Sequence, residues 1–108
     1  MGSSDFFDTA CAKTAKEAFN QLVEGARYDY GHAGYTGTIA EKSNFIEIPL
    51  PPDTDPEKYA EKLLDENDDR VDDKWGPAGC IEMKPDETEK KKYGEKIKKF
   101  LFFGWASS

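Results

Sequence analysis

Residues 100–103 place four large apolar side chains in a row, Phe-Leu-Phe-Phe, inside a predicted strand that covers residues 97–106. Because successive side chains of a strand point to opposite faces, this strand is apolar on both of its faces. Such a strand belongs in the interior of a sheet or against a partner. The chain is therefore predicted to fold around a sheet.

The first helix is predicted to begin after Thr14, and Tyr30 continues its apolar stripe if the helix runs so far. Thr14 and Glu17 have the spacing of a capping box, and Gly31 is a natural C-terminal stop. Apolar residues repeat at helical spacing between these ends and form a single stripe. They are Ala15, Ala18, Phe19, Leu22, Val23 and Ala26.

The remaining elements follow from alternation, turn residues and capping signals. A second helix is predicted from Thr54 or Asp55 to Asn67, with Pro56 in its first turn. Four further strands are predicted at residues 6–13, 35–41, 45–50 and 78–83. The strands at 35–41 and 45–50 are joined by a short Lys-Ser-Asn turn and are expected to form a hairpin.

This order, β-α-β-β-α-β-β, predicts an α+β fold with a single, largely antiparallel sheet of about five strands and two helices packed on a face. The 108 residues are expected to form one domain. Residues 1–4 are predicted to be a flexible N-terminus, and residues 84–96 a solvated, charged connection.

The formal net charge of −7 disfavours nonspecific binding to nucleic acid or to an anionic membrane surface. The sequence has no apolar signal core and no run long enough to span a membrane, so a soluble, cytoplasmic protein is expected. Residues 53–73 hold ten acids against three bases. The acidity therefore belongs to one surface region.

This region gives the leading hypothesis, a non-enzymatic module that binds a protein partner. Rows of carboxylates can occupy a basic groove meant for nucleic acid, and an exposed tryptophan is a typical interface anchor. The predicted contact residues are Asp65, Asp68, Asp69, Asp72, Asp73 and Trp75.

The alternative is a small-molecule site or a modest enzyme at a glycine-rich corner, residues 27–41. Arg27 would meet an anion, and Tyr35 and Thr36 would donate hydrogen bonds to the ligand. His32 would act as a general acid or base. The ring of this histidine would be oriented by Asp29 or Glu41. A phosphate loop is disfavoured because these glycines follow a helix and do not precede one.

No cofactor and no metal site is predicted. His32 has no nearby cysteine with which to bind zinc, and the acidic stretch from Asp65 lacks the glycine and the glutamate of a calcium loop. Cys11 and Cys80 are expected to be buried thiols, bridged only if their strands are neighbours. The lysines of residues 90–99 are interleaved with glutamates, so direct nucleic-acid binding ranks last.

Three segments, residues 30–42, 72–80 and 101–108, resemble small uncharacterised proteins of phage and prophage type. The resemblance implies a bacterial or viral cytoplasmic origin and attaches no activity, cofactor or catalytic residue. Small acidic phage proteins often bind and block host machinery, so the resemblance favours an inhibitor of a host defence or nucleic-acid-handling protein.

Overall fold

The computed structural model describes residues 2–30 and 36–108. Within them, one mixed four-stranded sheet is combined with three helices and a 3-10 turn, which makes the fold α+β as predicted. None of these helices is long and apolar enough to cross a membrane. The elements are β1 (Ser3–Ala12), α1 (Ala15–Tyr30), the 3-10 turn (Ile39–Glu41), β2 (Phe45–Glu47), α2 (Pro56–Asp65), β3 (Ala78–Met83), α3 (Glu87–Tyr93) and β4 (Lys98–Ser107).

The strand order in the sheet is β1-β4-β3-β2. β4 runs antiparallel to both β1 and β3, whereas β2 runs parallel to β3. The apolar strand near the C-terminus is thus an interior strand of the sheet, and this prediction is confirmed.

Each face of the sheet carries its own hydrophobic core. Phe100 and Phe102 of β4 pack with α1 on one face, while Leu101 and Phe103 pack with α2 on the other. α1 and α2 therefore lie on opposite faces, whereas both helices were predicted to pack on one face. The reason is β4 itself, since a strand that is apolar on both faces needs cover on both.

α1 is present as predicted. It ends at Tyr30, and at its start the hydroxyl of Thr14 accepts a hydrogen bond from the Glu17 amide at 3.2 Å. Its buried stripe includes Ala18, Phe19 and Val23. The rings of Phe19 and Phe102 lie 5.5 Å apart, which anchors the helix on the sheet.

The predicted hairpin of residues 35–41 and 45–50 is wrong. Gly37 has a φ of 72°, and the Thr38 hydroxyl caps a 3-10 turn by accepting from the Ala40 amide at 3.2 Å. These local bonds replace the expected strand, although Tyr35 lies outside the described residues. β2 shortens to three residues and pairs with β3, so four strands are described and not five.

Two further segments contain secondary structure that was not predicted. Ser3 and Ser4 lie in β1 opposite Ser107 and Ala106, where a flexible N-terminus was predicted. The predicted connection of residues 84–96 contains α3, which begins with a capping box between Asp86 and Glu89 and buries none of its residues. Besides this capping box, the Glu89 carboxylate accepts from Nζ of Lys99 at 3.2 Å and from Sγ of Cys11 at 3.3 Å, which ties the short helix to β4 and β1.

The cysteines are separate free thiols. Cys11 lies on β1 and Cys80 on β3, and β4 runs between them. Cys80 is 2% exposed, and burial, with Glu47 and Glu82 nearby, raises the pKa of its thiol to about 12.

Native Cys80 is expected to react with a thiol-specific disulfide reagent at pH 8 roughly 1000-fold more slowly than the unfolded chain does, because its thiolate fraction falls tenfold per unit of pKa. A Cys11→Ser variant isolates the reaction of Cys80, and the same variant in denaturant gives the unfolded rate. Reaction of the native Cys11→Ser protein at the unfolded rate would contradict the buried position of this thiol.

Candidate protein-binding surface

The acidic loop, defined as residues 65–76, begins where α2 ends in a Schellman motif. Asn67 has a φ of 54°, its amide donates to the Leu64 carbonyl at 3.2 Å, and the Asp68 amide donates to the Leu63 carbonyl at 3.0 Å. Asparagine is one of the few residues that accept this left-handed position. The chain consequently leaves the helix in a defined direction.

The first turn of the loop is closed by an ion pair between Asp68 and Arg70. The carboxylate of Asp68 accepts from Nε of Arg70 at 2.9 Å, from Nη2 at 3.0 Å and from the Arg70 amide at 3.0 Å. Side-chain and backbone hydrogen bonds from Arg70 lower the pKa of Asp68. This carboxylate shapes the loop and is already paired with a guanidinium, so Asp68 is less available to a partner than the exposed acids of the loop.

Two buried residues fix the middle of the loop. Val71 is 1% exposed and belongs to the core beneath α2. Lys42 is 2% exposed, and its Nζ donates to the carbonyls of Asp73, Lys74 and Gly76 at 3.3, 3.2 and 2.9 Å. Burial lowers the pKa of Lys42, and the nearby negative charge of Asp73 offsets part of this decrease. The loop is thus held by apolar packing at one point and by a cation at another.

Sequence reasoning missed Lys42. It lies in the predicted hairpin turn, 31 residues from the first carbonyl that it contacts. Local sequence carries no signal for such a distant bond. The same lysine ties the tip of the acidic loop to the segment after the 3-10 turn.

Trp75 stands at this tip. The carboxylate of Asp73 accepts from the Trp75 amide at 2.9 Å, and the Gly76 amide donates to the Asp73 carbonyl at 2.9 Å. The indole side chain is 64% exposed, and Nζ of Lys74 lies 5.5 Å from its ring centroid. An exposed aromatic on a hydrogen-bonded turn is a suitable anchor for a partner.

The structure places the predicted acids around one continuous loop. Asp65 lies at the end of α2, and Asp69, Asp72 and Asp73 are exposed along the loop that leads to the tryptophan. The loop offers four carboxylates at its surface once Asp68 is assigned to Arg70. Such a surface complements a basic patch through charge and through one large apolar contact.

The alternative site is only partly assembled by the described residues. Oε2 of Glu41 accepts from the hydroxyl of Thr36 at 2.7 Å and from its amide at 3.2 Å, so these two predicted residues bind each other. Asp29 lines a cavity of about 400 Å³ between α1 and β1, where burial raises the pKa of Asp8. Arg27 is exposed and is absent from the described lining. His32 and Tyr35 lie outside the described residues.

Within residues 2–30 and 36–108, no group of three or more histidine, cysteine or acidic side chains is arranged to hold a metal ion. No protein-family model, no curated protein and no solved structure matches the chain.

Proposed function

We propose that the protein is a small acidic protein-binding module whose acidic loop contacts a basic surface of its partner. The observation that supports this is the combination of a fixed backbone with exposed charge. Lys42 donates to three carbonyls of the loop, while Asp69, Asp72 and Trp75 face solvent.

A fixed loop binds better than a mobile one because less conformational entropy is lost on association. The three carbonyl bonds of Lys42 and the burial of Val71 hold the loop before any partner arrives. In this arrangement Trp75 supplies the apolar contact at the centre. The carboxylates speed encounter with a positively charged partner and discriminate against acidic ones.

The partner class that fits is a protein with a basic groove, such as a host defence or nucleic-acid-handling protein. A groove built for nucleic acid presents lysines and arginines to phosphates, and a row of carboxylates can occupy the same positions. The resemblance of three segments to phage-type proteins agrees with an inhibitor of this kind. The chain would then act by occupying the groove, without turnover.

Reversing Asp69 and Asp72 to lysine is expected to weaken partner binding by about tenfold or more, because two attractive charges become repulsive. Trp75→Ala is expected to have a similar effect, as an exposed aromatic anchor is lost. The partner is first captured from a bacterial lysate with the native protein and then purified. Its Kd is measured by biolayer interferometry for each variant.

Glu24→Lys combined with Glu95→Lys is the matched control, since both side chains are exposed, lie outside the loop and change the net charge equally. If binding falls equally in the acidic-loop double variant and in this control, the interaction depends only on the net charge of the protein. Unchanged binding in the loop variants would remove the acidic loop from the interface. Raised salt should weaken the native complex as well.

A further inference from the structure

The two edges of the sheet are built differently. β2, at one edge, has three residues and is soon followed by Pro49, Pro51 and Pro52. β1, at the other edge, has ten residues, none of them proline or lysine. Short strands, prolines and lysines are the usual protection of an edge against further pairing. By this measure β2 is protected, whereas β1 carries only Asp5 and Asp8 as protecting charges, and no strand within residues 2–30 and 36–108 pairs with its outer side.

The open side of β1 can be assigned residue by residue. Gly2 and Ser108 exchange two backbone hydrogen bonds of 3.2 Å, and the same register pairs Ser4 with Ala106. Bonded and non-bonded pairs alternate along an antiparallel ladder, so the even-numbered residues of β1 bond to β4. The odd-numbered residues direct their amides and carbonyls outward. These are Ser3, Asp5, Phe7, Thr9 and Cys11.

The side chains of these odd-numbered residues lie on the face that α2 covers only in part, since α2 packs mainly on β3 and β4. Phe7 is 37% exposed there. Beside it is a groove of about 230 Å³ with an apolar floor of Phe7, Leu64 and Trp105. Three carboxylates line the same groove, those of Asp5, Glu61 and Asp65.

We propose that β1 binds an extended segment of a partner protein, with basic side chains at alternate positions, as an additional strand of the sheet. Backbone pairing to the outward groups of β1 provides affinity, and the acidic groove selects lysine or arginine on the facing side. This surface is separate from the acidic loop and shares only Asp65 with it.

A second copy of the chain fits this edge less well than a basic segment. β1 carries Asp5 and Asp8 and no basic residue, so pairing of two β1 strands would bring like charges together. A net charge of −7 adds to this repulsion. Charge complementarity therefore favours a basic partner strand.

The test uses a fluorescent seven-residue peptide, acetyl-Lys-Thr-Lys-Val-Lys-Thr-Lys-amide, whose anisotropy is measured with the full chain at low salt. Binding is expected for this probe and is expected to be absent for its glutamate counterpart. Thr9→Pro should weaken binding about tenfold or more, because proline removes an outward amide and adds a ring on the pairing side. Thr9→Val keeps the amide and should bind like the native protein.

In a second arm the protein is unchanged and two methylated peptides are compared. One peptide carries N-methyl groups on every second backbone nitrogen, and the other carries them on the remaining nitrogens. One of these two peptides should fail to bind, whether or not Thr9→Pro folds. Equal binding of both methylated peptides would reduce the effect to charge attraction and overturn strand pairing, as would no binding of the parent peptide. If the native protein forms a dimer that is lost in the Thr9→Pro variant, the edge of β1 binds a second copy of the chain instead.

The Asp69→Lys and Asp72→Lys variant separates this inference from the proposed function. The peptide should bind this variant as tightly as the Glu24→Lys and Glu95→Lys variant, which has the same net charge, because neither Asp69 nor Asp72 lines the groove beside β1. Loss of peptide binding in the acidic-loop variant but not in this charge-matched control would place the probe on the acidic loop and overturn the inference.

Discussion

Replacing Gly79 with alanine is expected to lower the free energy of unfolding by about 3 kcal/mol, at the upper end of the cost of overpacking a core. An added Cβ would lie 2.6 Å from Cζ of Phe103 and 2.8 Å from Cγ1 of Val71. Both neighbours are buried, so neither can move without disturbing the core beneath α2. Urea denaturation of the two proteins gives the difference.

Gly25→Ala is the matched control for this substitution. Apart from the chain neighbours of Gly25 and the backbone of α1 itself, no atom of the described residues lies within 4 Å of a Cβ built at this position. Alanine is a better helix former than glycine, so this variant should be more stable by about 0.5–1 kcal/mol. A Gly79→Ala protein as stable as the native one would show that β3 and the acidic loop are not packed as closely as described.

Lys42→Met is expected to destabilise the protein by about 3 kcal/mol, because the carbonyls of Asp73, Lys74 and Gly76 lose a shared donor. The methionine side chain keeps much of the volume and removes the charge, so the loss reports mainly on the hydrogen bonds. Lys62→Met, at a side chain that is 65% exposed, should change stability little. Equal stability of the Lys42→Met protein would mean that the loop does not need this lysine.

The pH dependence of stability gives an independent check on Lys42. Burial lowers its pKa in the folded state below the ordinary value of 10.5. Between the lowered value and 10.5 the unfolded chain binds more protons at this residue, so its contribution to stability rises with pH across that window. The Lys42→Met protein should lack this rise when both proteins are titrated in urea.

The parts of the fold that could be predicted from sequence are those with a local signal. The apolar run in β4 identified an interior strand, and the stripe and capping residues of α1 identified a helix. β2 lies within the predicted strand of residues 45–50, but its partner was predicted wrongly because its pairing with β3 is parallel and joins residues far apart in the chain. The strand predicted at residues 35–41 was wrong because alternating polar and apolar residues also fit a turn. In the structure, hydrogen bonds to the side chains of Thr38 and Glu41 form that turn.

In the candidate surface, the exposure of the acids and of Trp75 could be predicted from the polar residues and turn residues around them. The pairing of Asp68 with Arg70 is also local, since the two residues are two apart, and it could have been read from the sequence. The role of Lys42 could not, because only the folded chain brings its Nζ to the carbonyls of the loop. The open edge of β1 likewise depends on the strand order, which no local pattern encodes.

The position of β4 along the chain sets the timing of folding during synthesis. β1 and β3 find their antiparallel partner in a strand that the ribosome makes after both of them. Pairing of β1 with β4 then has to close a loop that spans most of the described residues, and contacts so distant form slowly. Until that step, the nascent chain exposes an unpaired β1 to chaperones and to aggregation.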